Sequence, residues 1–427
     1  MPAAGEAERR RIASLDRESL VRLQLEKFNA LLATILPANA FYAEKLRGVD
    51  LPIESLEQFS ALPTTTKNEL KTDDDSDEPA NLTWPVENYV RFHQTSGTHG
   101  RPLAVYDTAD DWRWWIDCWQ YVLDAAGVTA GDRALLAFSF GPFIGFWSAH
   151  SALEARGALV LPGGGMSTAA RLDLAQRTCA TLLLATPTYA LRMAEAAEEA
   201  GIDAARLPIR TIIVAGEPGG SAPGIRDRIE AVWEAKVIDH AGASEVGPWG
   251  YADSARRGLH ILESEFLAEF VAVDTGQRAA AGDLARLIIT PLGRTGMPVI
   301  RYETGDLVRP FWPGEGPDHN VLLEGGVLGR ADDMMIIRGV NIFPSSVEEI
   351  LRGFPAVAEF RLTARTAGTM DKLTVEVEDR NMDPARIERE LELRLGLTVD
   401  VQLAPTGSLP RFEGKAQRFV DQRQGRS

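Results

Sequence analysis

TLLLATPTYALRMAEAAEEAGIDAARLPIRTIIVAG, residues 181–216, sets two short apolar runs on either side of a segment with helical spacing. Each run is closed by Pro or Gly. A strand, a covering helix and a second strand in that order are the unit of a mostly parallel sheet. The same texture repeats outward. ALLAFSF (134–140) and GALVLPG (157–163) precede it, AKVIDHAG (235–242) follows, and 168–180 and 188–201 supply helices. The segment 110–123 suits a helix with Trp112, Trp115 and Trp119 on one face, which we assign to the core. In such sheets ligands sit at the carboxyl ends of the strands, where the loops closing these runs fall.

Residues 17–46 carry Leu20, Leu23, Leu25, Phe28 and Leu31 at helical spacing. DDDSDEP (73–79) reads as a solvated acidic turn. After residue 260 the strands shorten, in EFLAEFVAVD, ARLIITPL and PVIRYETGD, and the Gly/Pro-rich stretch 309–320 follows. The last hundred residues read as a small α+β unit. Ser345 opens an S-x-x-E capping box with Glu348. EFRLTAR (359–365) and KLTVEVED (372–379) read as a strand pair, and Asp383-Pro384 as the start of a helix. The expected fold is therefore α/β, with a large N-terminal domain of βαβ-type sheets (1–330) and a small mobile α+β C-terminal domain (331–427).

The chain has 427 residues, room for two or three domains. Its 45% apolar and 25% charged residues are ordinary globular composition. Sixty-one acidic against 45 basic residues give a net charge of −16, which argues against nucleic-acid and anionic-membrane partners. The excess is lopsided: 14 basic and 16 acidic residues lie in 331–427, so −14 belongs to the rest. Cys118 and Cys179 form no CxxC pair, and the six histidines (93, 99, 150, 240, 260, 319) show no HxxxH spacing. A metal held by protein ligands alone is not expected. The N-terminus has no apolar segment of the signal-peptide kind, and no run of 18 apolar residues occurs. The expectation is a soluble, cytoplasmic protein.

The stretch Gln94-Thr95-Ser96-Gly97-Thr98-His99-Gly100-Arg101-Pro102 follows the strand-like ENYVRFH. Its glycines let backbone amides approach an anion, and its hydroxyls and cation add donors. It is no Walker A loop, which needs GxxxxGK[ST]. Alone it reads equally well as a phosphate cradle or a polar turn between strands.

TSGTHGRP (95–102), AGEPGG (215–220), AGASEVG (241–247), YETGD (302–306), GRADDMMIIRGVNIFPSSVEEIL (329–351) and PRFEGKAQR (410–418) occur in that order. Together they resemble the acyl-adenylate-forming superfamily and, within it, the phenylacetate–CoA ligase family. The 23-residue segment is the most family-specific. LPTTTKNEL (62–70), PANAFYAEKL (37–46) and LPGGGMSTAARL (161–172) extend the likeness over nearly the whole chain.

The resemblance implies a two-step reaction. A carboxylate attacks the α-phosphorus of ATP, releasing pyrophosphate; a thiol, normally that of CoA, then displaces AMP. Such chemistry needs positioning and charge stabilisation rather than a protein nucleophile. Thr95, Ser96, Gly97, Thr98 and Gly100 would wrap the β- and γ-phosphates, with Arg101 where the family often has Lys. Gly216, Glu217 and Pro218 would edge the adenine. Glu245 matches the carboxylate that helps hold Mg²⁺. Asp306 would accept both ribose hydroxyls, with Arg330 as a second ribose contact. Asp332 occupies the hinge position, Gly339 would line the pantetheine tunnel, and Lys415 would bridge carboxylate and phosphate during adenylation.

One departure concerns Ala241. The family usually has Tyr there, covering the adenine, so either ATP binding is weaker or His240 or another aromatic fills the gap. The acyl pocket would be walled by Phe140, Phe143, Phe146 and Trp147, suiting a flat aromatic carboxylate. Small residues at Ala241, Gly242 and Ala243 leave room for a ring larger than phenylacetate. Two other readings stay open. The acceptor could be an amine, another nitrogen nucleophile or a carrier-protein pantetheine, or the chain could be a nucleotide-binding protein without catalysis. The resemblance also leaves room for a homodimer.

Overall fold

The computed structural model describes residues 5–72, 78–95, 102–145, 147–314, 316–337, 340–367, 370–412 and 418–423. Among these, the largest sheet has nine strands. Five are parallel: Leu159–Pro162, Arg133–Leu136, Leu182–Ala185, Thr211–Val214 and Lys236–Ala243, in that spatial order. Gly247–Ala252, Gly258–Ile261, Leu322–Glu324 and Pro310–Phe311 continue the sheet antiparallel.

The parallel strands are apolar on both faces because helices cover both. Ala134, Leu136, Leu182, Leu184, Ile213 and Ile238 pack toward helices Ala109–Ala125 and Trp147–Arg156. Their neighbours Leu135, Leu183, Ile212, Val214 and Val237 pack toward Thr168–Thr178, Pro187–Glu199 and Pro223–Trp233. Trp112, Trp115 and Trp119 are core, at 6%, 2% and 1% exposure.

A four-stranded antiparallel sheet joins Phe266–Ala272, Ala285–Pro291, Tyr302–Val308 and Gly329–Arg330. Against it pack the N-terminal helices, through Phe28, Leu32, Ile35 and Tyr42 on Leu267, Leu292 and Ile300. The 17–46 segment holds two helices, Arg17–Ile35 and Ala40–Lys45. Pro37 cannot continue the first, and the Asn39 carboxamide caps the second by accepting from the Tyr42 amide.

Beyond residue 330, the hairpin Met335–Ile337/Val340–Ile342 leads into a mixed sheet of Asp400–Leu403, Met370–Asp379, Val357–Ala367 and Phe419–Asp421. Helices Pro344–Arg352 and Pro384–Leu395 share its core, which includes Val347, Ile350, Leu362, Val375, Ile387 and Leu391. Asp383 caps the second helix as expected, accepting from the Arg386 amide. The expected capping box at Ser345 does not form. The helix begins at Pro344 after Phe343, the Ser345 hydroxyl donates to the Leu328 carbonyl, and Glu348 is drawn to Arg418, 3.1 Å away.

Candidate functional site

The segment expected to cradle phosphate is presented by a short hairpin. Arg91–Gln94 pairs antiparallel with Ala104–Asp107. Thr95 closes its mouth: its amide donates to the Leu103 carbonyl and its hydroxyl accepts from the Leu103 amide, each at 3.0 Å. Ser96, Gly97, Thr98, Gly100 and Arg101 lie outside the described residues, as do Phe146, Gly339 and Lys415.

At the carboxyl end of Thr211–Val214 the chain turns at Gly216, whose φ of +94° is glycine territory. Gly216 is exposed and Pro218 half-buried. The Glu217 side chain is engaged within the protein. Its carboxylate accepts from the Thr188 amide at 2.7 Å, capping the start of Pro187–Glu199. Burial and the nearby Glu348 push its carboxyl above the usual range.

On the next strand, Ala241 is half-buried and Gly242 exposed. His240 does not fill the gap left by a missing tyrosine. Alternation along the strand sends it to the opposite face, where its ring centroid lies 4.2 Å from that of Trp119. Its Nδ1 lies 2.7 Å from the Gly250 carbonyl, which fixes the proton there, and burial lowers its pKa to about 4.

The turn after Ala243 carries Glu245, 7% exposed. Tyr302 donates its hydroxyl to the Glu245 carboxylate at 2.7 Å, and the Lys67 ammonium stands 3.6 Å away. Burial, then the Glu245 charge, push the Tyr302 phenol far above its ordinary value, so it stays a donor. Neither Tyr302 nor Lys67 was assigned a role from sequence, although both stand inside recognised segments, YETGD and TTTKNEL.

Tyr302 begins the strand that also bears Asp306. Asp306 and Arg330 are direct register partners on neighbouring antiparallel strands. Gly305, at φ +77°, holds a backbone conformation that a side chain would strain, and it lies close under the Arg330 guanidinium, 2.6 Å from where a Cβ would stand. That guanidinium donates to the Thr304 carbonyl at 3.0 Å and lies 3.4 Å from Asp306 and 3.3 Å from the exposed Asp332. The expected ribose contacts and hinge residue are thus adjacent.

Among the acyl-pocket candidates, Phe140 and Trp147 meet edge to face at 4.7 Å, with His150 6.2 Å from Phe140. Phe143 is 38% exposed. The Trp119 indole, donating to Ser148 at 2.7 Å, ties the start of Trp147–Arg156 to the helix beneath His240.

Residues beyond 330 approach this site along helices Pro187–Glu199 and Pro223–Trp233. Arg418, buried with Glu359 at 2.6 Å, donates to the Thr188 hydroxyl at 3.2 Å. Arg228 donates to the Val357 carbonyl at 3.0 Å.

The parallel sheet with loops at its carboxyl ends and the carboxylate–arginine pair beyond it belong to an AMP-binding enzyme. Residues 33–264 match the family model described as AMP-binding enzyme, and 339–423 that of the AMP-binding enzyme C-terminal domain. A phenylacetate-coenzyme A ligase of Thermus thermophilus is 31% identical over 96% of this chain and 98% of its own. That of Escherichia coli is 31% identical over 96% of each. The chain belongs to the phenylacetate–coenzyme A ligase family. A solved structure of 2-hydroxyisobutyryl-CoA ligase in the postadenylation state, in complex with R3-HIB-AMP, has a TM-score of 0.90 at 25% identity, covering 98% of this chain and 94% of that one. The same ligase in the thioesterification state, with 2-HIB-AMP and CoA, has a TM-score of 0.73 at 25% identity, over 99% and 94%. Among the described residues no helix is long and apolar enough to cross a membrane.

Proposed function

We propose that this protein is an AMP-forming acid–thiol ligase, which activates an aromatic carboxylic acid with ATP and passes the acyl group to CoA. The observation that carries the reading is one strand, Tyr302–Val308. It sets Asp306 beside Arg330 and, from its other end, holds Glu245 through Tyr302.

In the first half-reaction the carboxylate oxygen attacks the α-phosphorus and pyrophosphate leaves. Asp306 accepts the ribose hydroxyls with Arg330 alongside, Gly216 and Pro218 border the base, and Thr95, Ser96, Gly97, Thr98, Gly100 and Arg101 surround the β- and γ-phosphates. Lys415 bridges the carboxylate and phosphate oxygens as charge builds on them. Glu245 suits Mg²⁺, which binds through one or two carboxylates and substrate phosphates. Among the described residues no three metal-ligating side chains cluster, so phosphate oxygens and water would supply the remaining ligands. When bound, the ion would neutralise phosphate charge.

In the second half-reaction the C-terminal unit, 331–427, turns about Asp332 and brings Gly339 to the passage for the CoA thiol. The better match to the postadenylation than to the thioesterification state supports an arrangement set for the first half. Phe140 and Trp147 favour a flat acyl group, with Ala241 and Gly242 leaving space above it. A carrier-protein pantetheine or an amine is the alternative acceptor. We place the enzyme in the cytoplasm, with a homodimer as its expected assembly.

The test is pyrophosphate release over a panel of aromatic acids, with 2-hydroxyisobutyrate for comparison, with and without CoA. Mass analysis of the product should give an acyl-CoA. Release dependent on no acid would remove the ligase reading, and an amide product would redirect the acceptor.

A further inference from the structure

Arg294 interrupts an otherwise apolar stretch, IITPLGRTGMPVI (288–300), and its side chain is wholly buried. An arginine cannot shed its charge, so burial requires partners. Its guanidinium finds them on separate segments. It lies 2.8 Å from the Asp107 carboxylate, itself fully buried, and donates to the Ser244 carbonyl at 3.0 Å and toward that of Tyr106 at 3.4 Å. The ring of Trp115 lies 5.8 Å from the guanidinium carbon, and its indole donates to Asp107 at 3.2 Å.

The loop itself is clamped. Asp111, on the first turn of Ala109–Ala125, accepts from the Thr295 amide at 2.8 Å and the Gly296 amide at 3.2 Å. A side chain at Gly296 would strike the Asp111 carboxylate, and one at Gly293 the Trp114 ring, each at 2.3 Å. Both glycines are therefore required by close approach.

The partners of Arg294 give its placement meaning. Tyr106 and Asp107 end the strand that, at its other end, pairs with Gln94 beside Thr95. Ser244 immediately precedes Glu245. One planar fork therefore joins the hairpin carrying the phosphate-loop segment to the turn carrying the metal-site carboxylate. Stability alone is a poor account of the pair, because apolar residues of similar volume commonly do as well in its place. A forked, rigid donor set does what apolar packing cannot: it fixes the two backbones in register.

We propose that Arg294 is a positioning residue for the β- and γ-phosphates of ATP, holding the 104–107 strand against the Ser244–Glu245 turn. This rests on the adenylation reading above. AMP and a preformed acyl-adenylate lack those phosphates. Loss of the tie therefore falls on Mg·ATP binding and on adenylation, and spares AMP binding and thioester formation from supplied acyl-adenylate. General loosening of the fold would lower all four together.

Arg294→Met alone would strand the Asp107 charge, so the decisive variant combines it with Asp107→Asn, which keeps an acceptor for Trp115. Arg294→Lys, which keeps charge without the fork, is the conservative comparison and stands in if the double variant fails to unfold cooperatively. For either, the expected result is a Kd for Mg·ATP raised by about 10-fold or more, smaller for lysine, with the Kd for AMP changed by less than about 2-fold. Thioester formation from preformed acyl-adenylate should persist. Equal loss for both nucleotides, or loss for neither, in a wild type that binds both overturns the role of Arg294. A wild type that binds neither nucleotide overturns the functional reading first, and this role with it.

Discussion

The resemblance sets a tyrosine where this chain has Ala241, and His240 does not take that ring's place. His240 is committed to Trp119 and to the Gly250 carbonyl on the opposite face. If the adenine lies over position 241, Ala241→Tyr should tighten both ATP and AMP by roughly 1 kcal/mol, about a factor of five in Kd. Calorimetry with each nucleotide checks this, and unchanged affinity would place the base elsewhere. Asp306 and Arg330 were legible because each stands inside a recognisable segment, and the register makes them partners. Tyr302, Lys67 and Arg294 were not, for a physical reason. Each acts on a group distant in sequence, Glu245 or Ser244, and nothing local to a tyrosine, lysine or arginine announces that. Glu217 shows what a motif leaves out: its carboxylate also caps a helix distant in sequence.

At the scale of elements, the five parallel strands were legible because a strand covered on both faces is a short apolar run bounded by turn residues, and little else in a sequence looks like that. Boundaries set by single side chains were harder. Asn39 starts a second, short helix within 17–46, and the Ser345 hydroxyl is taken by Leu328 before it can cap. The AGEPGG loop mixes two kinds of constraint. Gly216 supplies a positive φ at the expected site, whereas Gly220 makes room for a buried carboxylate, since a Cβ there would meet Asp239 at 2.5 Å. Burial pushes Asp239 up to about 6, against hydrogen bonds from Ser221 and the His240 amide. Below about pH 4 this carboxyl is protonated in both folded and unfolded chains. Between about 4 and 6 only the unfolded chain loses the proton, so this group makes stability fall as pH rises through that window. Asp239→Asn should remove the fall. The stability of the variant relative to wild type should rise by on the order of 2 kcal/mol between pH 4 and 6 and then level off. Denaturant titrations across that range decide it, and a constant difference would mean that Asp239 is ionised throughout.

At the scale of the whole molecule, the charge arithmetic argues against polyanionic partners but is blind to how the parts meet. The contact is close. Gly224 on Pro223–Trp233 admits the Glu349 carbonyl, which a Cβ would approach to 2.5 Å. Beside it, Arg228 donates to the Val357 carbonyl at 3.0 Å, with burial lowering its pKa to about 10. Arg418 reaches Thr188 a little further along. These contacts belong to the arrangement that matches the postadenylation state, and they must break if 331–427 turns to admit CoA. Arg228→Met removes one charge-assisted hydrogen bond from that arrangement and touches no proposed substrate contact. Such a bond is worth about 1.5–3 kcal/mol. The variant should therefore lower carboxylate-dependent pyrophosphate release by about 10-fold or more. Thioester formation from preformed acyl-adenylate should be unchanged or faster, because the proposed turn breaks the contact before that step. The two half-reactions assayed separately give the answer. Equal loss in both would show that Arg228 stabilises the fold rather than one arrangement of it, and the proposed turn about Asp332 would lose its support at this interface.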